Sequence, residues 1–233
     1  MVLSVDRSPD EVLEEAARRF APRIALALGF GREGCVLLDM IARASLPIRV
    51  FTLDTGLLLP ETYALWRRLE ERTGIPIEAV RPGQTIEQQA EAEGESLWAR
   101  QPDRCCELRK LVPLGRALAG LDAWVTAIRR EQTRERANAA QVERDERHGL
   151  VKVNPLAAWT AADVASYVTR HGVPTNPLHD RGYESIGCLP CTTPVLPGED
   201  PRAGRWRGAP KTECGLHLPT RIANQQETER NAP

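Results

Sequence analysis

The sequence has no excess of charge of either sign: 31 Lys and Arg stand against 32 Asp and Glu, leaving a net charge of -1 over 233 residues. A broad cationic surface for nucleic acid or an anionic membrane is thereby excluded, and any anion must be held by a local basic cluster. No apolar run approaches the ~20 residues that span a bilayer. The first residues carry no basic stretch followed by an apolar one, so neither an anchor nor a secretory leader is expected, and the protein is read as soluble and cytoplasmic. No internal repeat is visible. The length cramps two full domains, and the 42% hydrophobic content suits one core with at most a small appendage.

Six cysteines are present: Cys35, Cys105, Cys106, Cys188, Cys191 and Cys214. In a reducing compartment these are ligands, nucleophiles or core residues before they are disulfide partners. Around them the chain alternates between strand and helix signals. Ser8-Pro9-Asp10-Glu11 reads as an N-cap, a first-turn proline and an acidic first turn, with Val12, Leu13, Ala16, Ala17 and Phe20 forming the apolar face of the helix. Ile24-Ala25-Leu26-Ala27-Leu28 is a strand candidate that runs into a turn with Gly29, Gly31 and Gly34, then a helix with Val36, Leu37, Leu38, Met40 and Ile41.

Residues 48–53, 75–80 and 123–128 supply three more strand candidates, and helices are expected from Pro60, over 103–118 and over 160–170. This alternation predicts an α/β fold: a mostly parallel sheet flanked by helices, with a ligand crevice at the carboxyl ends of the strands. The glycine turn and Asp54 fall at that edge. The expected organisation is a nucleotide-binding α/β domain over 1–173 and a C-terminal segment over 174–233, rich in Pro and Gly, that holds three of the six cysteines.

Cys188-Leu189-Pro190-Cys191 has the gap that lets two sulfurs grip one metal centre. Its partner is the vicinal pair Cys105-Cys106, placed in the first turn of a helix with Asp103 as N-cap, where the positive helix end favours thiolates. Adjacent ligands diverge along the chain, which suits a bulky iron–sulfur cubane better than zinc; buried, unligated thiols are the plain alternative. Cys35 lies among apolar residues and reads as core. Cys214, in Lys211-Thr212-Glu213-Cys214-Gly215-Leu216-His217, stands evenly between a nucleophile and a surface thiol. The arginines at Arg129, Arg130, Arg134, Arg136, Arg202 and Arg205 suit phosphate and sulfate oxygens, although such runs are commonly solvated surface. Lys110, four residues after Cys106, is placed on the same helix face.

Several motifs resemble the assimilatory adenylyl-sulfate and phosphoadenylyl-sulfate reductases. They are Leu53-Asp54-Thr55-Gly56, Cys105-Cys106-Glu107-Leu108-Arg109-Lys110, Lys152-Val153-Asn154-Pro155-Leu156, Asn176-Pro177-Leu178-His179-Asp180, Arg202-Ala203-Gly204-Arg205-Trp206 and the Glu213-Cys214-Gly215-Leu216-His217 terminus. The resemblance implies an adenine nucleotide alpha-hydrolase-like fold and a [4Fe-4S] cluster on Cys105, Cys106, Cys188 and Cys191. It implies that Cys214 is the nucleophile, that Lys110, Arg202 and Arg205 contact the phosphosulfate, and that Arg136 and Asp54 serve the nucleotide.

The reaction implied is reduction of adenosine 5′-phosphosulfate to sulfite and AMP through a cysteine S-sulfonate, resolved by thioredoxin or glutaredoxin. A homo-oligomer is left open. Members with both cysteine pairs usually take adenosine 5′-phosphosulfate, and members without them take the 3′-phosphorylated nucleotide. The rival readings are the phosphoadenylyl-sulfate reductase, an ATP pyrophosphatase or adenylyl transferase of the same fold, and a non-catalytic zinc- or nucleotide-binding relative. Where the family's phosphate loop resembles S-x-G-A-E-D, this chain lacks both the serine and the aspartate and reads Phe30-Gly31-Arg32-Glu33-Gly34. Thr193 replaces the arginine of C-T-R-P. Anion contacts from that loop therefore fall to backbone N–H groups and Arg32.

Overall fold

A computed structural model describes residues 7–217; the ends of the two expected segments, 1–6 and 218–233, lie outside the described residues. Helix α1 (Pro9–Phe20) starts as its sequence dictates. The Ser8 hydroxyl accepts from the Glu11 N–H and the Glu11 carboxylate accepts from the Ser8 N–H, while Val12, Leu13, Ala16 and Ala17 are buried. Strand β1 (Ile24–Ala27), helix α2 (Arg32–Arg43), strand β2 (Arg49–Leu53), helix α3 (Pro60–Thr73) and strand β3 (Ile77–Val80) follow in alternation.

The sheet has six strands in the order β3-β2-β1-β4-β6-β5, with β4 at Ala123–Val125, β5 at Val142–Asp145 and β6 at Leu150–Val153. All neighbours pair in parallel except β5 with β6. Because successive side chains of a strand alternate faces, Ile24 and Leu26 join α1, α2, α3 and α8 (Ala161–His171) in the larger core. Ala25 faces Leu114 and Leu118 of α7 (Val112–Leu118) on the other side. Chain order reverses at β1, with β2 and β3 to one side and β4 to the other, which opens a crevice at the strands' carboxyl ends.

The expected strand ends were too generous: β4 stops at Val125 and β3 begins at Ile77. Two strands, β5 and β6, were not expected, the first because it is mostly charged and the second because it is short. Their Val-Glu-Arg-Asp and Leu-Val-Lys-Val sequences hold a cross-strand ion pair, Lys152 to Glu143 at 2.9 Å. Helix α4 (Ile86–Glu93), with a Thr85 capping box, and the single turn α5 (Leu97–Arg100) were also unforeseen.

The helix expected over 103–118 is divided. Helix α6 (Pro102–Cys106) starts with Pro102 after Gln101, not with Asp103 as cap, and Glu107–Leu111 form a π-helical turn before α7. Pro113 has no N–H to give to the Arg109 carbonyl, so the regular ladder cannot run through this point. The wide turn lies directly after the vicinal cysteines.

Candidate active site

A cavity of about 200 Å³ opens at the carboxyl ends of β1 and β2. Its walls include Leu28, Gly29, Leu53, Lys110, Arg205 and Cys214, so the helix after the vicinal cysteines, the basic segment and the tail cysteine converge on one space. Cys214 is partly exposed there. It is brought in by the last described stretch of chain, which is fastened along its length. Lys211 pairs with Asp103 and lies over the Trp206 ring at 5.3 Å. The Thr212 carbonyl accepts from Arg202 at 2.8 Å, and the Gly215 carbonyl accepts from Arg147 at 3.1 Å. The His217 ring stacks on Trp124, with centroids 5.9 Å apart and planes at 12°. Burial, followed by the charges of Arg136, Lys152 and Arg202, holds the His217 imidazole well below its ordinary pKa, so the ring is neutral at neutral pH.

Between these contacts sits Glu213, 9% exposed. Its carboxylate accepts from Arg136 at 3.0 and 3.1 Å and from Arg202 at 3.1 Å. Arg202 and Arg205 both reach the Ser185 hydroxyl, at 3.4 and 3.3 Å, and the Arg205 guanidinium also lies 4.5 Å from the Trp206 ring centroid.

Cys105, Cys106, Cys188 and Cys191 line a second, small cavity together with Arg109 and Lys110. Both pairs are tied to the loop after β2: Leu189 N–H donates to the Leu57 carbonyl at 2.7 Å and Leu58 bridges Cys188, while Arg109, just after the vicinal pair, donates to the Thr55 carbonyl. Cys188 Sγ lies 3.3 Å from the Thr55 hydroxyl. Burial pushes the thiols of Cys105 and Cys191 up to about 11, with mutual repulsion among the thiolates adding to it, and raises Cys106 as well. Among the described residues no group of three or more His, Cys, Asp or Glu is arranged to hold a metal ion. A four-thiol donor set drawn from two pairs is nevertheless the chemistry an iron–sulfur cluster needs. Cys35 stands apart, fully buried, with burial pushing its thiol to about 12.

Lys110 borders both cavities. Burial lowers its pKa, but the thiolates of Cys188, Cys214 and Cys106 outweigh that and bring it to about 12. Its neighbour Arg109 is 3% exposed and tied inward, donating to the Thr55 carbonyl at 2.6 Å and to Gln89 at 2.9 Å. Asp54 does not line the cleft. Its carboxylate accepts from Tyr63 at 2.7 Å, Gly56 N–H at 3.2 Å and Arg81 at 3.0 Å, and so shapes the loop after β2.

The altered phosphate loop has its own logic. A side chain at Gly34 would place Cβ 2.0 Å from the Gly29 carbonyl oxygen, so the turn closes backbone against backbone and needs glycine there. Glu33 instead faces across the sheet edge and accepts from Arg129 at 2.9 Å, while Arg32 pairs with Glu184 at 3.8 Å. Gly34→Ala is expected to cost about 1–3 kcal/mol through this overlap, measured as a lowered thermal midpoint. An unchanged midpoint would mean that the turn has room to shift.

The domain family described as "Phosphoadenosine phosphosulfate reductase domain" matches residues 23–194. The chain belongs to the phosphoadenosine phosphosulfate reductase family. It is 47% identical to the phosphoadenosine 5′-phosphosulfate reductase of Gloeobacter violaceus, over 91% of this chain and 89% of that one. It is 46% identical to adenosine 5′-phosphosulfate reductase 1 of Bacillus subtilis, over 88% and 89%. The phosphate complex of phosphoadenylyl-sulfate reductase from Candida auris superposes with a TM-score of 0.72 at 33% identity, covering 81% of this chain and 91% of that one. Both the α/β fold and the family resemblance expected from the motifs therefore stand.

Within this reductase fold the structure brings Cys214, Lys110 and Arg205 to one cleft. The four paired cysteines line one small cavity, and Arg136 meets Arg202 through Glu213. Sequence reasoning gave no part to Glu213, Ser185, Trp124 or Thr55. Only Glu213 had a usable signal, as a single acid in a tail segment otherwise occupied by Arg202, Arg205, Arg207 and Lys211.

Proposed function

We propose that this chain reduces adenosine 5′-phosphosulfate to sulfite and AMP, with Cys214 as nucleophile. The observation that carries the reading is Cys214 opening into the same cleft as Lys110 and Arg205 at the carboxyl ends of β1 and β2. In the first step the Cys214 thiolate attacks the sulfonate sulfur. A sulfur–sulfur bond forms, the bond from that sulfur to the bridging oxygen breaks, and AMP leaves with that oxygen. Lys110, Arg205 and Arg202 stabilise the negative oxygens on either side of the transferring group, and Arg136 serves the nucleotide. In the second step a thiolate of thioredoxin or glutaredoxin attacks the Cys214 sulfur and sulfite departs. The donor's second thiol closes its disulfide, so two thiols supply both electrons and the sum balances without any further redox group.

Cys105, Cys106, Cys188 and Cys191 are the residues that would hold a [4Fe-4S] cluster. When bound it would join α6 to the tail segment and add negative charge beside Lys110. The two cysteine pairs favour adenosine 5′-phosphosulfate over its 3′-phosphorylated form, as does the name of the Bacillus subtilis relative; the Gloeobacter violaceus name gives the alternative. The deciding experiment compares kcat/KM for the two nucleotides on anaerobically purified protein. A preference of about a hundredfold or more for the unphosphorylated nucleotide, in a brown, iron-containing preparation, is expected. The opposite preference would assign the phosphoadenylyl-sulfate activity, and a colourless protein that binds zinc and turns over neither would make it a non-catalytic relative.

A further inference from the structure

The reaction as written has no use for Glu213, and a carboxylate beside a nucleophile that must attack an anion is electrostatically costly. Its surroundings show what offsets that cost. Glu213 meets Arg136, from the segment after β4, and Arg202, from the segment after the second cysteine pair. Three distant stretches of chain are therefore joined at one carboxylate. The two arginine side chains are themselves only 12% and 18% exposed, so the pairs are poorly screened. The other polar fastenings of the tail are more exposed: Lys211 pairs with an Asp103 that is 88% exposed, and Arg147 and Arg202 give exposed bonds to the Gly215 and Thr212 carbonyls, while the His217 stack on Trp124 lies beyond Cys214.

We propose that Glu213 is the positioning residue that seats Cys214 over the cleft, by bridging Arg136 and Arg202. The next residue but one, Gly215, turns at φ +87, so Cys214 is held between a fixed carboxylate and a tight turn. The Nε groups of Arg136 and Arg202 are buried without partners. Each arginine thus keeps a donor that the bridge to Glu213 leaves unused. The latch rests on the reading of Cys214 as nucleophile, and it adds a residue that acts through Cys214 without touching the reacting atoms.

The test uses Glu213→Gln and Glu213→Asp in the iron-loaded enzyme, with circular dichroism to confirm the fold. Without nucleotide, alkylation of Cys214 by iodoacetamide is followed at its own peptide and compared at the high-pH plateau, where the thiol is fully ionised. The glutamine variant is expected to label about tenfold faster. In single turnover with adenosine 5′-phosphosulfate it is expected to form the S-sulfonate about 10- to 100-fold more slowly, as a displaced reacting group should. KM should not rise, because both arginines remain and lose a competing acid. The aspartate variant, a methylene short of bridging both arginines, falls between.

Equal labelling rates in glutamine variant and wild type would overturn the latch. So would a slow variant whose whole defect is a raised KM, since Glu213 would then be arranging the arginines for substrate. If wild-type protein forms no adduct, the reaction assignment fails instead, and the labelling contrast still decides the latch.

Discussion

Cys214→Ser is expected to lower turnover by at least about a thousandfold while leaving nucleotide affinity unchanged. Serine has the same shape and is only slightly smaller, so the tail fastenings from Lys211 to His217 have no reason to change. What is lost is the nucleophilic sulfur, and removal of a covalent nucleophile leaves only the binding and electrostatic contributions of the site. The other cysteines are poor substitutes. Cys35 is sealed in the core with its thiol pushed to about 12, and Cys105 and Cys191 are raised to about 11 by burial. Cys188 also borders the cleft, but it is buried and within hydrogen-bond distance of Thr55.

Intact mass after anaerobic mixing with adenosine 5′-phosphosulfate is the direct readout. Wild-type protein should gain the mass of one SO₃, and the serine variant none. An adduct on the serine variant would move the nucleophile elsewhere, most plainly to Cys188, and the role assigned to the tail would go with it.

Where structure follows from short-range rules, the sequence was readable. The Ser8 capping box, the apolar faces of α1 and α2 and the strands around Ile24 and Val50 all follow from propensity and periodicity. The sheet's far edge did not. In β5 three of the four residues are charged, Glu143 being met by Lys152 of β6, so no alternation marks it, and β6, Leu-Val-Lys-Val, is too short a run to stand out.

The site divides in the same way. Cys105, Cys106, Cys188, Cys191 and Cys214 were visible as a pattern of reactive residues, and Lys110 from its spacing. Asp54 lies beside the predicted sheet edge, but whether its carboxylate faces ligand or backbone depends on Tyr63 and Arg81, which only the fold brings to it. Glu213 stood out as an acid in a basic segment, but its bridge was hidden, because its partners lie 77 and 11 residues away and nothing in either spacing implies that they share one carboxylate.

Lys110 gives the second large effect. Lys110→Ala is expected to reduce kcat/KM by about 100- to 1,000-fold, the loss typical of removing one preorganised charge from a water-poor site. The division of labour with Arg109 supports a figure of that size. Arg109 spends its guanidinium on the Thr55 carbonyl and Gln89, holding the loop, whereas Lys110 borders both the cleft and the cysteine cavity.

The sign of its pKa shift matters as well. Burial alone would favour neutral lysine, but the neighbouring thiolates raise it above its ordinary value to about 12. The stabilisation from that charge is therefore complete below the unfolded value and is lost only as pH climbs through about 12, so Lys110 remains cationic across the working range. Its removal deprives the Cys214 thiolate of an adjacent cation. Lys110→Arg, which keeps the charge, should therefore retain most of the wild-type kcat/KM, with the same pH dependence as wild type below about pH 9. Iron content per chain must match wild type for the comparison to count. If the alanine variant with full iron content shows unchanged affinity, turnover and pH profile, the charge at position 110 has no part in the reaction, and the burden on Arg202 and Arg205 grows accordingly.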